Sequence, residues 1–272
     1  MDTNKDNFAS LPMEEKMVFL KEQRKPEYRE EIIAKNLVNV KILIAGSVNN
    51  DTFIIQSINT IEELDRICNT LAKRVREWYG YYFPELSYSI EDNEIFIKRI
   101  IQKSKKEFMQ ELELNVSMGP ELLEKDLDAI MSFVRQVNDM YLEGDNIIKY
   151  LEDVMKEYTP NIYAVTGALI GAKLLDKARS LKHLSQMPSS TVQLLGAEQA
   201  LFRHLRNKRI RPPKHGFILS HPLVMNASRE QKGSMARVLA AKISIASKID
   251  YFKGEFLGDK LLEEVEKHSR RK

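Results

Sequence analysis

The chain has 272 residues, of which 43% are hydrophobic and 30% charged, with a formal net charge of +3. That length holds one large domain or two to three small ones. The single cysteine, Cys68, excludes an internal disulfide framework and a multi-cysteine zinc site.

The polar start, Met1 to Ser10, lacks the apolar core of a signal peptide. The longest apolar stretches, around Leu37–Val48 and Ile162–Leu175, are too short to cross a bilayer. The expectation is a soluble intracellular, cytoplasmic protein. Ser10-Leu-Pro-Met-Glu14 reads as a helix start, with serine as cap and proline in the first turn, and that helix ends before Pro26. Leu37–Gly46 and Asp51–Thr60 are rich in Val, Ile and Phe and flank Asn49-Asn50, which predicts a β-hairpin. Residues 1–60 are thus expected to form a small α/β domain.

From Ile61 the pattern is helical. Leu123, Leu127, Ile130, Val134, Val137, Tyr141, Gly144, Ile148, Leu151, Met155 and Tyr158 follow alternating steps of four and three, and only Gly144 interrupts the apolar row. This heptad seam predicts a coiled-coil helix roughly 50 Å long. A second row, Phe133, Met140, Ile147 and Val154, widens the stripe, so more than one neighbouring helix is expected. Asn93–Val116 is a candidate neighbour, turned by the breaker Ser117-Met-Gly-Pro120 into a helical hairpin. The seam can be filled within the chain or by a second copy. The second use predicts a dimer through Leu127, Ile130, Val134, Val137, Tyr141, Ile148 and Leu151. Residues 61–160 form this helical region, and Pro160 closes it.

Asn161–Leu184 resumes as an apolar helix, where Gly167 and Gly171 suggest close helix packing. Beyond it the charge changes sign. Residues 161–272 carry 21 Lys/Arg against 9 Asp/Glu, whereas residues 1–160 carry 21 against 30. Two halves so divided suggest two different partners. Arg203–Lys248 is densest, with 11 basic residues and one acid, Glu230. A solvated surface is the ordinary reading of a basic run, but scarce acids and interspersed His and aromatics favour a polyanion site. Ser189, Ser190 and Thr191 can cap a helix from about Val192, whose N-terminus suits a phosphate. Arg206-Asn-Lys-Arg-Ile-Arg211 is a basic loop stopped by Pro212-Pro213. Lys214-His215-Gly216-Phe217 then offers an imidazole that can stack on an unpaired base, or a plain capped turn. Arg229, Lys232, Arg237, Lys242 and Lys248 lie on a helix from about Glu230, without the spacing of one straight stripe.

Catalytic and metal motifs are missing. The sequence has no Walker loop, GxGxxG after a strand, HExxH or nucleophile elbow, and its five histidines are dispersed. No catalytic residue, metal ligand or cofactor is assigned. A Ser–His–Asp triad has no nominated nucleophile, and an RNA-modifying enzyme using His215 or His204 is the reading from another class.

Several blocks, in order, resemble the Nop family, the scaffolds of box C/D ribonucleoproteins and a spliceosomal relative. They are Asp51-Thr-Phe-Ile-Ile-Gln-Ser-Ile58, Arg74-Val-Arg-Glu-Trp-Tyr-Gly-Tyr-Tyr-Phe-Pro-Glu-Leu86, Val116-Ser-Met-Gly119, Thr159-Pro-Asn161, Gly196-Ala-Glu-Gln-Ala-Leu-Phe-Arg203 and Ala236-Arg-Val-Leu-Ala-Ala-Lys242. The resemblance covers about four-fifths of the chain, and the short length without a Lys/acid-rich tail is similar to the archaeal form. It implies a mainly α fold: a small α/β N-terminal domain, a long helical coiled-coil hairpin and, over 161–272, an all-helical Nop domain. It implies a non-catalytic scaffold for guide-RNA-directed ribose 2′-O-methylation in rRNA processing. Residues 1–60 would bind fibrillarin, the methyltransferase that carries S-adenosylmethionine, and the coiled coil would self-dimerise. Gly196, Ala197, Glu198 and Gln199 would face the junction between a kink-turn-binding protein and the guide RNA. RNA would be bound by Arg203, Arg206, Lys208, Arg209, Arg211, Lys214, His215, Arg237, Lys242 and Lys248. Gln199 stands where the family usually has Lys, and the N-terminal unit is abbreviated. Eukaryotic relatives are nucleolar. A spliceosomal-type scaffold without fibrillarin shares the fold.

Overall fold

The computed structural model describes residues 26–270, together with Pro12, Met13, Lys16 and Met17. The helix expected from Ser10 to Pro26 lies almost wholly outside the described residues. All regular secondary structure among the described residues is helical. The chain divides into two units, 1–49 and 50–272.

In the first unit, α1 spans Pro26–Ser47. The second opens with α2, Asn50–Tyr82. These two helices occupy the segments expected to form a β-hairpin, so the α/β N-terminal domain is corrected to helix there. The physical reason is period. In α2 the buried positions are Asp51, Ile54, Ser57 and Ile58, then Cys68, Ala72, Val75 and Tyr79, while Phe53 is exposed. Steps of three and four define a helical face; a strand would bury alternate residues. In α1, Leu37, Val38, Val40, Ile42, Leu43 and Ile44 fill successive directions, and no alternation is present. High β-branched content is a weak guide against such a pattern. The expected boundary at residue 60 falls inside α2, which runs unbroken across it.

Short helices follow: α3 Pro84–Ser89, α4 Asn93–Gln102 and α5 Lys105–Glu111. The single helix expected over Asn93–Val116 is broken at Lys103-Ser104. There the Glu107 carboxylate accepts from the Ser104 N–H (2.6 Å) and Oγ (2.8 Å), starting a new helix. The long α6 spans Glu124–Tyr158. Its buried residues, Ile130, Val134, Val137, Leu151 and Met155, all belong to the heptad seam.

What covers that seam is α2, running antiparallel to α6 in the same chain. Ile54 and Ile58 share a core with Leu151 and Met155 at one end. Val75, Tyr79 and Phe83 share another with Ile130, Val134 and Val137 at the other end, joined by Phe96, Ile97 and Phe108. The dimer contact expected through Leu127, Ile130, Val134, Val137, Tyr141, Ile148 and Leu151 therefore cannot use the whole row: Leu127, Tyr141 and Ile148 stay partly exposed. Ile130, Val134, Val137 and Leu151 are covered within the chain, by α2 along the length of α6 and, at one end, also by the expected neighbour at Asn93–Gln102.

The C-terminal bundle contains α7 Pro160–Ala178, α8 Leu181–Gln186, α9 Ser189–Leu194, α10 Glu198–Arg206, a 3₁₀ turn Phe217–Ser220, α11 Pro222–Met225, α12 Lys232–Tyr251 and α13 Gly258–Arg270. Central to it is α7, packed against α6, α12 and α13. Gly171 permits its close packing, since a Cβ there would lie 2.7 Å from Met155 Cε. Gly167 does something else: at φ 73°, ψ 172° it kinks the helix, and a Cβ there would meet open space. The join between α6 and α7 is held by Asp250 near the end of α12. Its carboxylate accepts from the Asn161 N–H (3.1 Å), Asn161 Nδ2 (2.7 Å) and the Ile162 N–H (2.9 Å). Asn161 Oδ1 in turn accepts from the Leu257 N–H at 2.7 Å.

Leu151→Ala should cost about 2–5 kcal/mol of stability, as for other buried leucines. Urea unfolding measures this, and sedimentation should show the variant's self-association unchanged. A weakened dimer around an unchanged monomer would instead return Leu151 to an intermolecular contact.

Candidate nucleic-acid interface

The candidate surface begins where α9 gives way to α10. Ser189, Ser190 and Thr191 do not cap this segment: α9 starts at Ser189, has six residues and shows no side-chain cap bond. The phosphate site expected there is too short to stand on. The chain then crosses itself. Gly216 N–H donates to Gln193 O (2.9 Å), Phe217 N–H to Leu195 O (2.8 Å), and Gln193 Nε2 to Lys214 O (2.6 Å). Two glycines make the crossing possible. Gly196 sits at φ 89°, and a Cβ there would lie 2.7 Å from the Phe217 ring; one on Gly216 would lie 1.8 Å from Leu195 O.

Everything between these two legs projects as an arm. Helix α10 has no buried residue. Its loop folds back through His204 Nδ1 against Ile210 O, and Asn207 Oδ1 accepts from the Arg209 N–H at 3.1 Å. Arg203, Arg206, Lys208, Arg209, Arg211 and Lys214 are all exposed on the arm. So are Phe202 (59%), Leu205 (53%) and Ile210 (44%), large apolar side chains with no core to bury them. Gln199, Phe202, Arg203 and Arg206 line a shallow depression of about 420 Å³. The structure thus joins an apolar patch to the predicted cations.

Other predicted residues have different settings. Glu198 turns back to accept from the Gly196 N–H (2.7 Å), so its carboxylate also shapes the turn; Gln199 is exposed. His215 is half-buried at the foot of the arm. The Lys214 stem lies near α12, its Cδ 3.7 Å from where a Cβ on Gly233 would be. Along α12, Arg237 and Lys248 are exposed, and eleven residues bring them back to the same helix face. Lys242 is not part of that face. It is ion-paired with the half-exposed Glu264 of α13, its own side chain remaining 20% exposed. The pair also holds the Glu264 carboxyl below its usual range, through the hydrogen bond and the lysine charge.

Two lysines were missed from the sequence. Lys173 and Lys177 stand one helical turn apart on α7, each 5.9 Å from the Phe217 ring centroid, beside the crossing. Their i,i+4 spacing was visible, but Glu62, which pairs with Lys173 at 3.0 Å, lies over a hundred residues away in sequence. The histidines have structural settings. His221 is buried, its Nδ1 accepting from the Leu223 N–H (3.3 Å), and burial holds its pKa down. His183 Nδ1 meets Ala178 O at 2.9 Å. Among the described residues no group of three or more His, Cys, Asp or Glu is placed to hold a metal ion. No single helix among them is long and apolar enough to cross a membrane.

Gly196→Ala forces a left-handed backbone onto a residue with a Cβ and drives that Cβ into Phe217. A loss of about 1–3 kcal/mol is expected. Hydrogen exchange should then quicken most between residues 196 and 217; an unchanged arm would show that the crossing does not depend on glycine.

Comparison with known proteins agrees with this arrangement. The Nop family model, described as "snoRNA binding domain, fibrillarin", matches residues 60–271. An uncharacterized NOP5 family protein of Methanocaldococcus jannaschii is 38% identical over 243 residues, covering 84% of this chain and 58% of the relative. Nucleolar protein 58 of Candida albicans is 39% identical over 221 residues, covering 75% of this chain and 43% of the relative. The chain therefore spans about half the length of these curated relatives. A chain in the crystal structure of a fibrillarin/Nop5p complex has a similar fold, with TM-score 0.54 and 22% identity over 92% of this chain and 81% of that one. The family match over residues 60–271 and the 38% identity to the NOP5 family relative give one assignment: the chain belongs to the Nop family.

Proposed function

We propose that this chain is a binding scaffold of a box C/D ribonucleoprotein that guides RNA ribose 2′-O-methylation, with no active site of its own. The observation that carries the reading is the arm at 196–217, where exposed cations and an exposed apolar patch share one rigidly founded projection. Apolar contact suits a protein surface, and the cations suit phosphates; together they fit a kink-turn-binding protein already seated on guide RNA. The positions involved are Gly196, Ala197, Glu198 and Gln199 at the junction. Arg203, Arg206, Lys208, Arg209, Arg211, Lys214 and His215 stand on the RNA side, with Arg237 and Lys248 on α12. Relatives named as nucleolar protein 58 and as NOP5 family members support it.

The methyltransferase partner is fibrillarin, and S-adenosylmethionine belongs on that partner. Its dock is proposed on the N-terminal part of the chain, within the acidic half. Because Ile130, Val134, Val137 and Leu151 are covered within the chain, self-association is proposed through the partly exposed Leu127, Tyr141 and Ile148 with their neighbours Met140 and Ile147. The setting proposed is the cytoplasm, as in the archaeal form.

Replacing Arg206, Arg209 and Arg211 together by Ala should weaken guide-RNA binding and flatten its salt dependence, by roughly 0.7–0.9 of a log–log unit per lost phosphate contact. An unchanged slope would remove the backbone role. RNA binding by the chain alone should be weak and should tighten when the kink-turn protein is added. Methyl transfer by the chain without fibrillarin would overturn the scaffold reading.

A further inference from the structure

The exposed face of α12 does not end at Lys248. Four residues on, one helical turn further along that face, stands Phe252, whose side chain is 74% exposed. Isolated exposed phenylalanines are common; this one sits at a helix end closed by a frequent C-terminal backbone motif. Its N–H donates to Lys248 O (3.0 Å), Lys253 N–H to Asp250 O (3.3 Å) and Gly254 N–H to Ile249 O (2.9 Å), with Lys253 at φ 53°. The helix end is thereby fixed. Tyr251, packed against the C-terminal core, meets the Phe252 ring edge-to-face at 5.0 Å and 72°. An edge-to-face neighbour positions a ring while leaving most of its surface open, in keeping with its exposure.

Along α12 itself the exposed charge is basic. From Lys232 to Lys253 the basic residues are Lys232, Arg237, Lys242, Lys248 and Lys253, and the only acid is Asp250. That acid is 8% exposed and occupied with Asn161 and Ile162. Lys242 is paired with Glu264. The exposed cations that flank the ring in sequence are Lys248 and Lys253; exposed acids follow at Glu255 and Asp259, and Glu157 of α6 lines the same hollow as Tyr251 and Lys253. A fixed, open aromatic face following a cationic helix face matches an unpaired base attached to a phosphate chain.

We propose that α12 ends in a base-stacking platform: the Phe252 ring receives one unpaired base of a single-stranded RNA segment, and Lys248 and Lys253 take its flanking phosphates. This rests on the RNA-binding reading above and adds a contact separate from the arm.

The test uses the full chain with two labelled probes, a twelve-nucleotide oligouridylate and a blunt RNA duplex without unpaired bases. Phe252→Ala should weaken oligouridylate binding about 5- to 150-fold, as for loss of one stacked base. It should leave duplex binding and the salt slope unchanged. Phe252→Trp should restore affinity, with its fluorescence quenched by the oligouridylate. Equal affinities of the parent and F252A for oligouridylate would overturn the platform, as would equal losses on both probes. If F252A instead loses capture of a partner protein while RNA binding stays intact, the platform is likewise overturned in favour of a protein contact. A salt slope flattened by the triple arginine replacement, with F252A neutral, would sink this inference alone. A parent chain that binds neither RNA at low salt would sink the RNA-binding reading with it.

Discussion

The C-terminal half is organised around a single carboxylate. Asp250 closes the end of α12 and receives three N–H groups from Asn161 and Ile162 at the start of α7. Helix starts leave N–H groups without partners, and a buried start must find them acceptors. A charge-assisted bond is worth about 1.5–3 kcal/mol, and leaving one such donor buried and unpaired costs about 1–3. Asn161 passes the connection on to Leu257, the residue before α13. One carboxylate therefore fixes the angle at which α7 leaves α6 and the relation of α7 to α12 and α13. Burial pushes the Asp250 carboxyl above its usual range, and its three hydrogen bonds pull it back. The surface that carries Arg237, Lys248 and Phe252 hangs on this joint.

A second constraint is the antiparallel pairing of α2 with α6. It spends the heptad seam inside the chain and creates two cores, one shared with the C-terminal bundle and one formed with α4 and α5. At the far end Lys105, 6% exposed, binds Gly119 O (3.0 Å) and stands 4.6 Å from the Tyr82 ring centroid. Glu85 takes the Met118 N–H (2.6 Å) and Ser117 Oγ (3.0 Å). The Ser117-Met-Gly-Pro120 breaker is thus a locked turn. The acidic half of the chain builds this pairing, and the basic half builds the surface proposed to bind RNA.

Long-period features were legible in the sequence. The α6 helix and its buried row followed from steps of three and four, because one helix face repeats regardless of what covers it. The identity of the cover was not legible: α2 pairs with α6 across some seventy residues, and its first turns are rich in β-branched residues that suggested strands. The arm's basic residues were visible as a run, yet its outline was not. That outline depends on Gly196 and Gly216 meeting across Leu195 and Phe217, a contact between segments separated in sequence. The partner of Lys242 was hidden for a similar reason, since Glu264 lies on another helix, 22 residues further along the chain. Phe252 was missed because exposure is not written in residue type.

The central claim is that RNA lies on the C-terminal surface and not along the α2–α6 pair. Ultraviolet crosslinking of guide RNA to the reconstituted particle, read by mass spectrometry, tests it most directly. The account predicts crosslinks confined to residues 196–217 and 237–253. Crosslinks concentrated on α2 or α6, with the arm left untouched, would contradict it.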